Sequence, residues 1–197
     1  MAGIFINYRT GDGDKAAELV DRELVDVFGE DRVFRDRRSM PEGTNFPPAL
    51  RAKLLDCTVL LVLIGPNWLT IRDEKTMERR IDTPGDYVRV EIMEAIEHHK
   101  IIIPVLLDTP FPEEEEMPKP IVGIRDRQAA HLRAGYSHHD LPILVERLKE
   151  FVPEAKKKRG ENAGRTEIKI RNKRGATSIY GGATYNEGRS GQINGEL

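Results

Sequence analysis

The 197-residue chain contains a single cysteine, Cys57. It therefore cannot form an intramolecular disulfide or a cysteine-rich zinc site. This cysteine usage is typical of proteins from a reducing compartment, and we expect a cytoplasmic protein. Cys57 itself lies in an apolar stretch, which favours a small core residue over a nucleophile.

Long hydrophobic runs are also missing. The two most apolar runs, Thr58 to Ile64 and Ile101 to Leu107, are far shorter than the roughly 20 residues that a membrane-spanning helix needs. The N-terminus does not show a basic region followed by a long apolar stretch, so we expect no signal peptide. The sequence therefore predicts no association with a membrane.

Neither sign of charge dominates the chain. It has 31 Lys and Arg against 33 Asp and Glu, a formal net charge of −2. A balance of this kind does not favour binding to nucleic acid. The acidic run 113–116 lies between prolines, and we interpret it as a solvated loop rather than a metal site.

Short apolar runs alternate with amphipathic helical patterns up to residue 151. The runs predict strands at 3–8, 32–35, 58–64, 101–107 and 128–132, and the patterns predict helices at 15–28, 47–57, 88–99 and 141–151. Strands that alternate with helices form right-handed βαβ units around a parallel sheet. We expect a three-layer, flavodoxin-like α/β fold with five strands in the order 2-1-3-4-5. Its working crevice should lie at the carboxyl ends of the strands.

The composition changes after Phe151. Residues 153–197 contain ten Lys and Arg against five Glu, a net charge of about +5, with many Gly, Asn and Ser. We therefore predict two parts, a domain at 1–152 and a basic tail at 153–197. The tail is interpreted either as a disordered extension or as a segment that docks on a partner. Two short patterns in it, 166–171 and 178–180, are compatible with strands.

One carboxylate in the third helical pattern differs from its neighbours. With about 100° of rotation per residue, Glu91 falls on the shoulder of the apolar face, one turn after Tyr87. Glu94 and Glu97 point away from that face, toward solvent. Spacing alone leaves Glu91 open to two interpretations: a functional carboxylate at the core boundary, or a solvated acid paired with Arg89 or Lys100.

Several segments, taken together and in order, resemble the TIR domain family, and its bacterial members in particular. They are Ile4-Phe5-Ile6-Asn7-Tyr8-Arg9, Val33-Phe34-Arg35-Asp36, the 39–46 stretch that resembles the BB loop, Ile64-Gly65-Pro66-Asn67-Trp68-Leu69, Asp86-Tyr87-Val88-Arg89-Val90-Glu91-Ile92 and Ile102-Ile103-Pro104-Val105. The resemblance covers about residues 2–151. Two positions depart from the family pattern, because Asn7 replaces the usual Ser and Tyr87 the usual Trp.

The resemblance implies hydrolysis of NAD+ at the bond between nicotinamide and ribose, with Glu91 as the catalytic residue. NAD+ is then a substrate, and no cofactor or metal is expected. The products would be nicotinamide and either ADP-ribose or a cyclic isomer that serves as a messenger in bacterial immune signalling against phage. A single carboxylate suffices, because nicotinamide leaves as a neutral molecule and the ribose develops oxocarbenium character.

Other positions are expected to line the crevice and bind the substrate. They are Phe5, Tyr8, Arg9, Arg35, Pro41, Gly43, Trp68 and Tyr87. An aromatic ring can stack on a base, and an arginine can meet a phosphate. For Phe5 the alternative is core packing, and for Trp68 it is a loop anchored against the sheet. Gly11-Asp12-Gly13 is interpreted as a turn before the first helix rather than a dinucleotide fingerprint.

Two functions remain open at the level of sequence. The first is the NAD+ glycohydrolase, whose activity we expect to depend on TIR–TIR self-association and on a separate sensor or effector protein. The second is a non-catalytic interaction module that assembles partners through the BB loop. A phosphate-accepting receiver domain with the same strand order is excluded, because its third strand should end in Asp and here it ends in Ile64-Gly65-Pro66.

Overall fold

The computed structural model of the protein describes residues 2–35 and 48–155, together with Ile170–Arg171 and Thr177–Ser178. The chain divides into two compact units, Met1–Ala155 and Lys156–Leu197. The described residues of the first unit form the five-stranded sheet and four α-helices.

The sheet of the first unit is parallel throughout, and its strands lie in the order β2-β1-β3-β4-β5. The strands are β1 (Ile4–Asn7), β2 (Val33–Arg35), β3 (Val59–Ile64), β4 (Ile101–Leu107) and β5 (Ala130–Leu132). The strand order predicted from the sequence is confirmed. β3 is buried at every position, as expected of a strand that helices cover on both faces.

Helices α1 (Asp14–Phe28) and α4 (Ser137–Lys149) cover one face of the sheet. Helices α2 (Pro48–Asp56) and α3 (Tyr87–Glu97) cover the other. Alternate residues of β1 divide between these layers, because successive side chains of a strand point to opposite faces. Ile4 and Ile6 pack toward α1, and Phe5 packs in the cluster that includes α3.

The helix ends follow local chemistry. Gly29 ends α1 with φ of 89°, a conformation that glycine adopts without steric cost. Asp86 caps α3, where its side chain accepts a hydrogen bond from the backbone N–H of Arg89. α4 begins at Ser137, before the first apolar residue of the predicted pattern at Leu141. Its first turn is polar and therefore invisible to hydrophobic periodicity.

A 3-10 helix at Lys119–Asp126 was not predicted from the sequence. Pro118, Pro120 and Gly123 interrupt any α-helical pattern in this stretch. The segment nevertheless buries Ile121 and Ile124 against the α2–α3 side of the sheet, so tertiary packing determines its structure.

Within the second unit, β6 (Ile170–Arg171) pairs antiparallel with β7 (Thr177–Ser178). Both overlap the strands predicted at 166–171 and 178–180. The rest of the tail, at 156–169, 172–176 and 179–197, lies outside the described residues. Both interpretations of the tail, a disordered extension and a docking segment, therefore stay predictions. Among the residues that the structure describes, no helix is long and apolar enough to cross a membrane.

Candidate active site

The candidate site forms where the carboxyl end of β1 meets the first turns of α3. Strand β1 lies between β2 and β3, and its last residue, Asn7, aligns with Val62 of β3. Glu91 lies one turn into α3, and α3 packs on the face of the sheet to which the Asn7 side chain points. The crevice of an open parallel sheet is expected at this edge.

Glu91 is buried, with 5% of its surface exposed. The Asn7 side-chain nitrogen donates a hydrogen bond to Glu91 Oε2 at 2.6 Å and another to the Val88 carbonyl oxygen at 3.2 Å. The burial of Glu91 contradicts the interpretation of this residue as a solvated acid. The Arg89 guanidinium donates to the Asp82 carbonyl oxygen, and Lys100 donates to that of Leu55.

Arg9 and Asp86 form a second connection between the same two elements. The Arg9 guanidinium binds both carboxylate oxygens of Asp86, at 2.5 and 2.9 Å, and both side chains are only 3% exposed. Asp86 also caps α3. The terminal nitrogens of Arg9 therefore bind Asp86, whereas the sequence suggested that they would bind a phosphate.

Three aromatic residues of the prediction lie on this side of the sheet. Trp68 is 1% exposed and Phe5 is fully buried, and both belong to the buried cluster on the α2–α3 side of the sheet. Both therefore contribute core packing at the base of the site. Tyr87 is half-buried and begins α3, one turn before Glu91.

Two further predicted positions, Tyr8 and Arg35, lie away from Glu91. Tyr8 packs on the opposite face of the sheet, against the cluster formed with α1 and α4. Arg35 pairs with Asp21 of α1 at 3.3 Å and lines a separate cleft of about 630 Å³ beside β2, where Glu91 is absent. Pro41 and Gly43, expected in the loop over the pocket, lie outside the described residues.

Asn7 and Asp86 were missed as partners in the site, although a signal for the first was present. Strand alternation puts Phe5, Asn7 and Arg9 on one face and Tyr8 on the other. Asn7 is a polar residue at the end of a buried strand, between Phe5 and Arg9 on the same face. This position indicates that the functional site lies at that edge of the sheet. Asp86 carries the N-cap signature, but its pairing with Arg9 is a long-range contact that no local pattern reports.

The Gly11-Asp12-Gly13 segment forms the expected turn before α1. The backbone N–H groups of Asp12 and Gly13 donate to the Arg9 carbonyl oxygen. Asp12 Oδ1 in turn accepts from the backbone N–H of Asn67 at 2.8 Å. The turn thus joins the loop after β1 to the loop after β3.

Glu94 is less solvated than its helical position suggested. Its side chain is 17% exposed and accepts a hydrogen bond from Arg51 of α2 at 2.9 Å. With Glu97 and His98 it forms a group whose spacing could hold a metal ion. Because Arg51 already neutralises Glu94, this group has little charge left for a cation.

Comparison with known proteins agrees with this architecture. Residues 4–148 match the family described as TIR domain. Among solved structures, the chain is similar to the TIR domains in the structure of the activated Roq1 resistosome directly recognising the pathogen effector XopQ. That similarity has a TM-score of 0.54 and 13% identity, over 76% of this chain and 99% of the other.

No curated protein matches the chain significantly. At 13% identity, the structural neighbour supports the fold and does not extend to activity. The family match is the stronger finding, because it covers most of the first unit, from β1 to the last turn of α4. The chain therefore belongs to the TIR domain family.

Proposed function

We propose that this chain hydrolyses NAD+ at the bond between nicotinamide and ribose, with Glu91 as the catalytic carboxylate. The observation that carries this proposal is the placement of Glu91. Its carboxylate is withdrawn from bulk water, lies at the carboxyl edge of the sheet, and accepts a hydrogen bond from a strand residue. A buried acid held by a neutral amide is suited to act on a developing positive charge.

The chemistry matches a site with one acid. The positively charged nicotinamide ring leaves as a neutral molecule, so the leaving group requires no proton. The ribose carbon becomes positively charged as the bond breaks, as in glycoside hydrolysis. An ionised Glu91 would stabilise that charge, and a water molecule would complete the hydrolysis. NAD+ is a substrate in this scheme, and neither a cofactor nor a metal takes part.

The proposed products are nicotinamide and either ADP-ribose or a cyclic isomer of it. The isomer would form if a second nucleophile of the same substrate replaced water. As in the resemblance to bacterial TIR proteins, we place this reaction in immune signalling against phage, in the cytoplasm. A separate protein would sense the infection or respond to the product.

Self-association is proposed as the trigger of activity. The TIR domains of the structural neighbour are part of an assembly named a resistosome. In this chain, the loop that contains Pro41 and Gly43 follows β2 and would take part in contacts between copies. Activity per molecule should then rise with protein concentration.

The second candidate function is a non-catalytic interaction module. The observation that favours it is the packing of the aromatic residues, since Phe5 and Trp68 are both buried. Under this alternative, the Asn7–Glu91 contact would only fix α3 on the sheet. The two functions make opposite predictions for purified protein mixed with NAD+.

A comparison of NAD+ with NADH tests the proposed function. The reduced ring of NADH would have to leave as an anion, so a site without a general acid should cleave NAD+ and spare NADH. Chromatography of both mixtures over a range of protein concentrations measures this. Cleavage of both dinucleotides at similar rates would contradict the mechanism, and no cleavage of NAD+ at any concentration would favour the interaction module.

A further inference from the structure

We infer that Asn7 is a positioning residue that holds the Glu91 carboxylate in its reactive place and in its ionised form. The inference rests on the proposed function, and it assigns a role to the position at which this chain departs from the usual serine of its family. It is carried by the contacts of the Asn7 amide and by its place in the sheet.

The Asn7 amide binds α3 at two points. Its nitrogen donates to Glu91 Oε2 at 2.6 Å and to the Val88 carbonyl oxygen at 3.2 Å. An amide nitrogen has two N–H groups, so it can serve both acceptors at once. One acceptor belongs to the side chain and the other to the backbone of the same helical turn. Asn7 therefore fixes the carboxylate relative to the helix as well as to the strand.

The anchor itself is rigid. Asn7 is fully buried at the end of a strand with neighbours on both sides, and it aligns with Val62 in the centre of the sheet. A flexible side chain such as Lys at this position would populate several rotamers and would not hold the Glu91 carboxylate in one place. Asn has only two side-chain torsions, and here its hydrogen bonds to α3 fix both of them. The position of Glu91 Oε2 is therefore fixed relative to the sheet.

The direction of the hydrogen bond determines which form of Glu91 is favoured. Burial disfavours an ionised carboxylate, and a donated hydrogen bond favours it. The short contact from the Asn7 nitrogen is of the charge-assisted kind. The Asn7 amide carries no charge of its own, so it favours the ionised form of Glu91 through the donated hydrogen bond.

Asn7 also lowers the stability of the fold in a way that a purely packing role would not explain. Its Oδ1 is buried and has no hydrogen-bond partner among residues 2–35 and 48–155. A buried acceptor without a partner lowers stability, and such groups call for a specific reason. An apolar residue would fill the strand end without that cost, but it would leave Glu91 without its donor.

Steady-state kinetics on Asn7 variants test the inference. We expect Asn7→Ala to lower kcat about 100-fold while KM changes by less than about threefold, since a misplaced catalytic group affects the chemical step. Asn7→Ser should recover part of the loss, because its hydroxyl can still donate. Asn7→Asp places a second carboxylate against Glu91, and its activity should rise as the pH falls and one proton is shared between them.

Asp140→Asn is the matched control for loss of stability, since Asp140 lies in α4 on the opposite face of the sheet. It should destabilise the fold and leave kcat unchanged. A purely structural Asn7 would instead reduce the folded fraction and the rate together, with no difference among the pH profiles of the three variants. That result would overturn the inference.

A second measurement decides the matter without relying on catalysis. In the ¹⁵N–¹H spectrum, the side-chain amide of Asn7 should shift and exchange faster with solvent in Glu91→Ala than in the wild type. An amide signal that does not respond to this substitution would overturn the positioning role. If the Asn7 amide signal responds to Glu91→Ala but the wild type does not cleave NAD+, the proposed reaction is rejected. The Asn7–Glu91 contact is then still supported.

Discussion

Arg9 and Asp86 form a buried, two-pronged ion pair that joins the end of β1 to the start of α3. Two residues before Arg9, at the last position of β1, Asn7 contacts the next turn of the same helix. The two contacts together set the position of α3 on the sheet. They also place Glu91 at the boundary between the core and the crevice, so folding and site geometry depend on the same few side chains.

The ion pair predicts a large effect of a small substitution. Asp86→Asn keeps a good N-cap for α3 but leaves the Arg9 guanidinium buried without a counter-charge. We expect the free energy of unfolding to fall by about 3 kcal/mol, which is the cost of breaking a buried pair. Urea titration at neutral pH measures it. A loss below about 1 kcal/mol would show that water reaches Arg9 and that the pair adds little.

The contact between Arg133 and Asp140 predicts a pH dependence of stability. Hydrogen bonds from the Arg133 side chain and backbone hold the pKa of the buried Asp140 carboxyl well below its usual value. Because the folded pKa is depressed, this contribution is fully present above the unfolded pKa of about 4 and is lost as the pH falls below it.

The difference in stability between wild type and Asp140→Asn should therefore be constant from about pH 5 to 8 and shrink below about pH 4. Thermal unfolding followed by circular dichroism at a series of pH values gives this difference directly. A gap that stays the same down to about pH 3 would contradict the assignment.

Cys57 should be almost inert in the folded protein. Burial raises the pKa of its thiol to about 12, so very little reactive thiolate exists at pH 8. We expect a thiol reagent such as Ellman's reagent to label native protein at least about 100-fold more slowly than protein unfolded in urea, where the thiol pKa is about 8.5. Fast labelling without urea would mean that the end of α2 opens readily.

Much of the fold could be predicted from the sequence, because its central strands are apolar at almost every position. β3 and β4 have this character, and α1 and α4 show an apolar face with a 3.6-residue period. The same reasoning could not find the 3-10 helix at Lys119–Asp126. Pro118 before the segment, and Pro120 and Gly123 within it, remove the local pattern. Long-range burial of Ile121 and Ile124 determines the structure instead.

The candidate site was predicted less completely. Helical spacing identified Glu91 as the carboxylate nearest to the core, and it is indeed buried. The family resemblance, however, grouped Tyr8 and Arg35 with it, and strand alternation sends both to the other face of the sheet. The Asn7–Glu91 contact spans 84 positions, so it required the fold to be known.

The most direct test compares Glu91→Gln with Glu94→Gln for cleavage of NAD+. Both substitutions remove one charge from α3, but Glu91 faces Asn7 and Glu94 faces Arg51 on another side of the helix. We predict that the wild type and Glu94→Gln release nicotinamide at similar rates, while Glu91→Gln loses at least about 100-fold in kcat, as expected when a charge that stabilises the transition state is removed. Equal rates for Glu91→Gln and the wild type would contradict the central role given to Glu91.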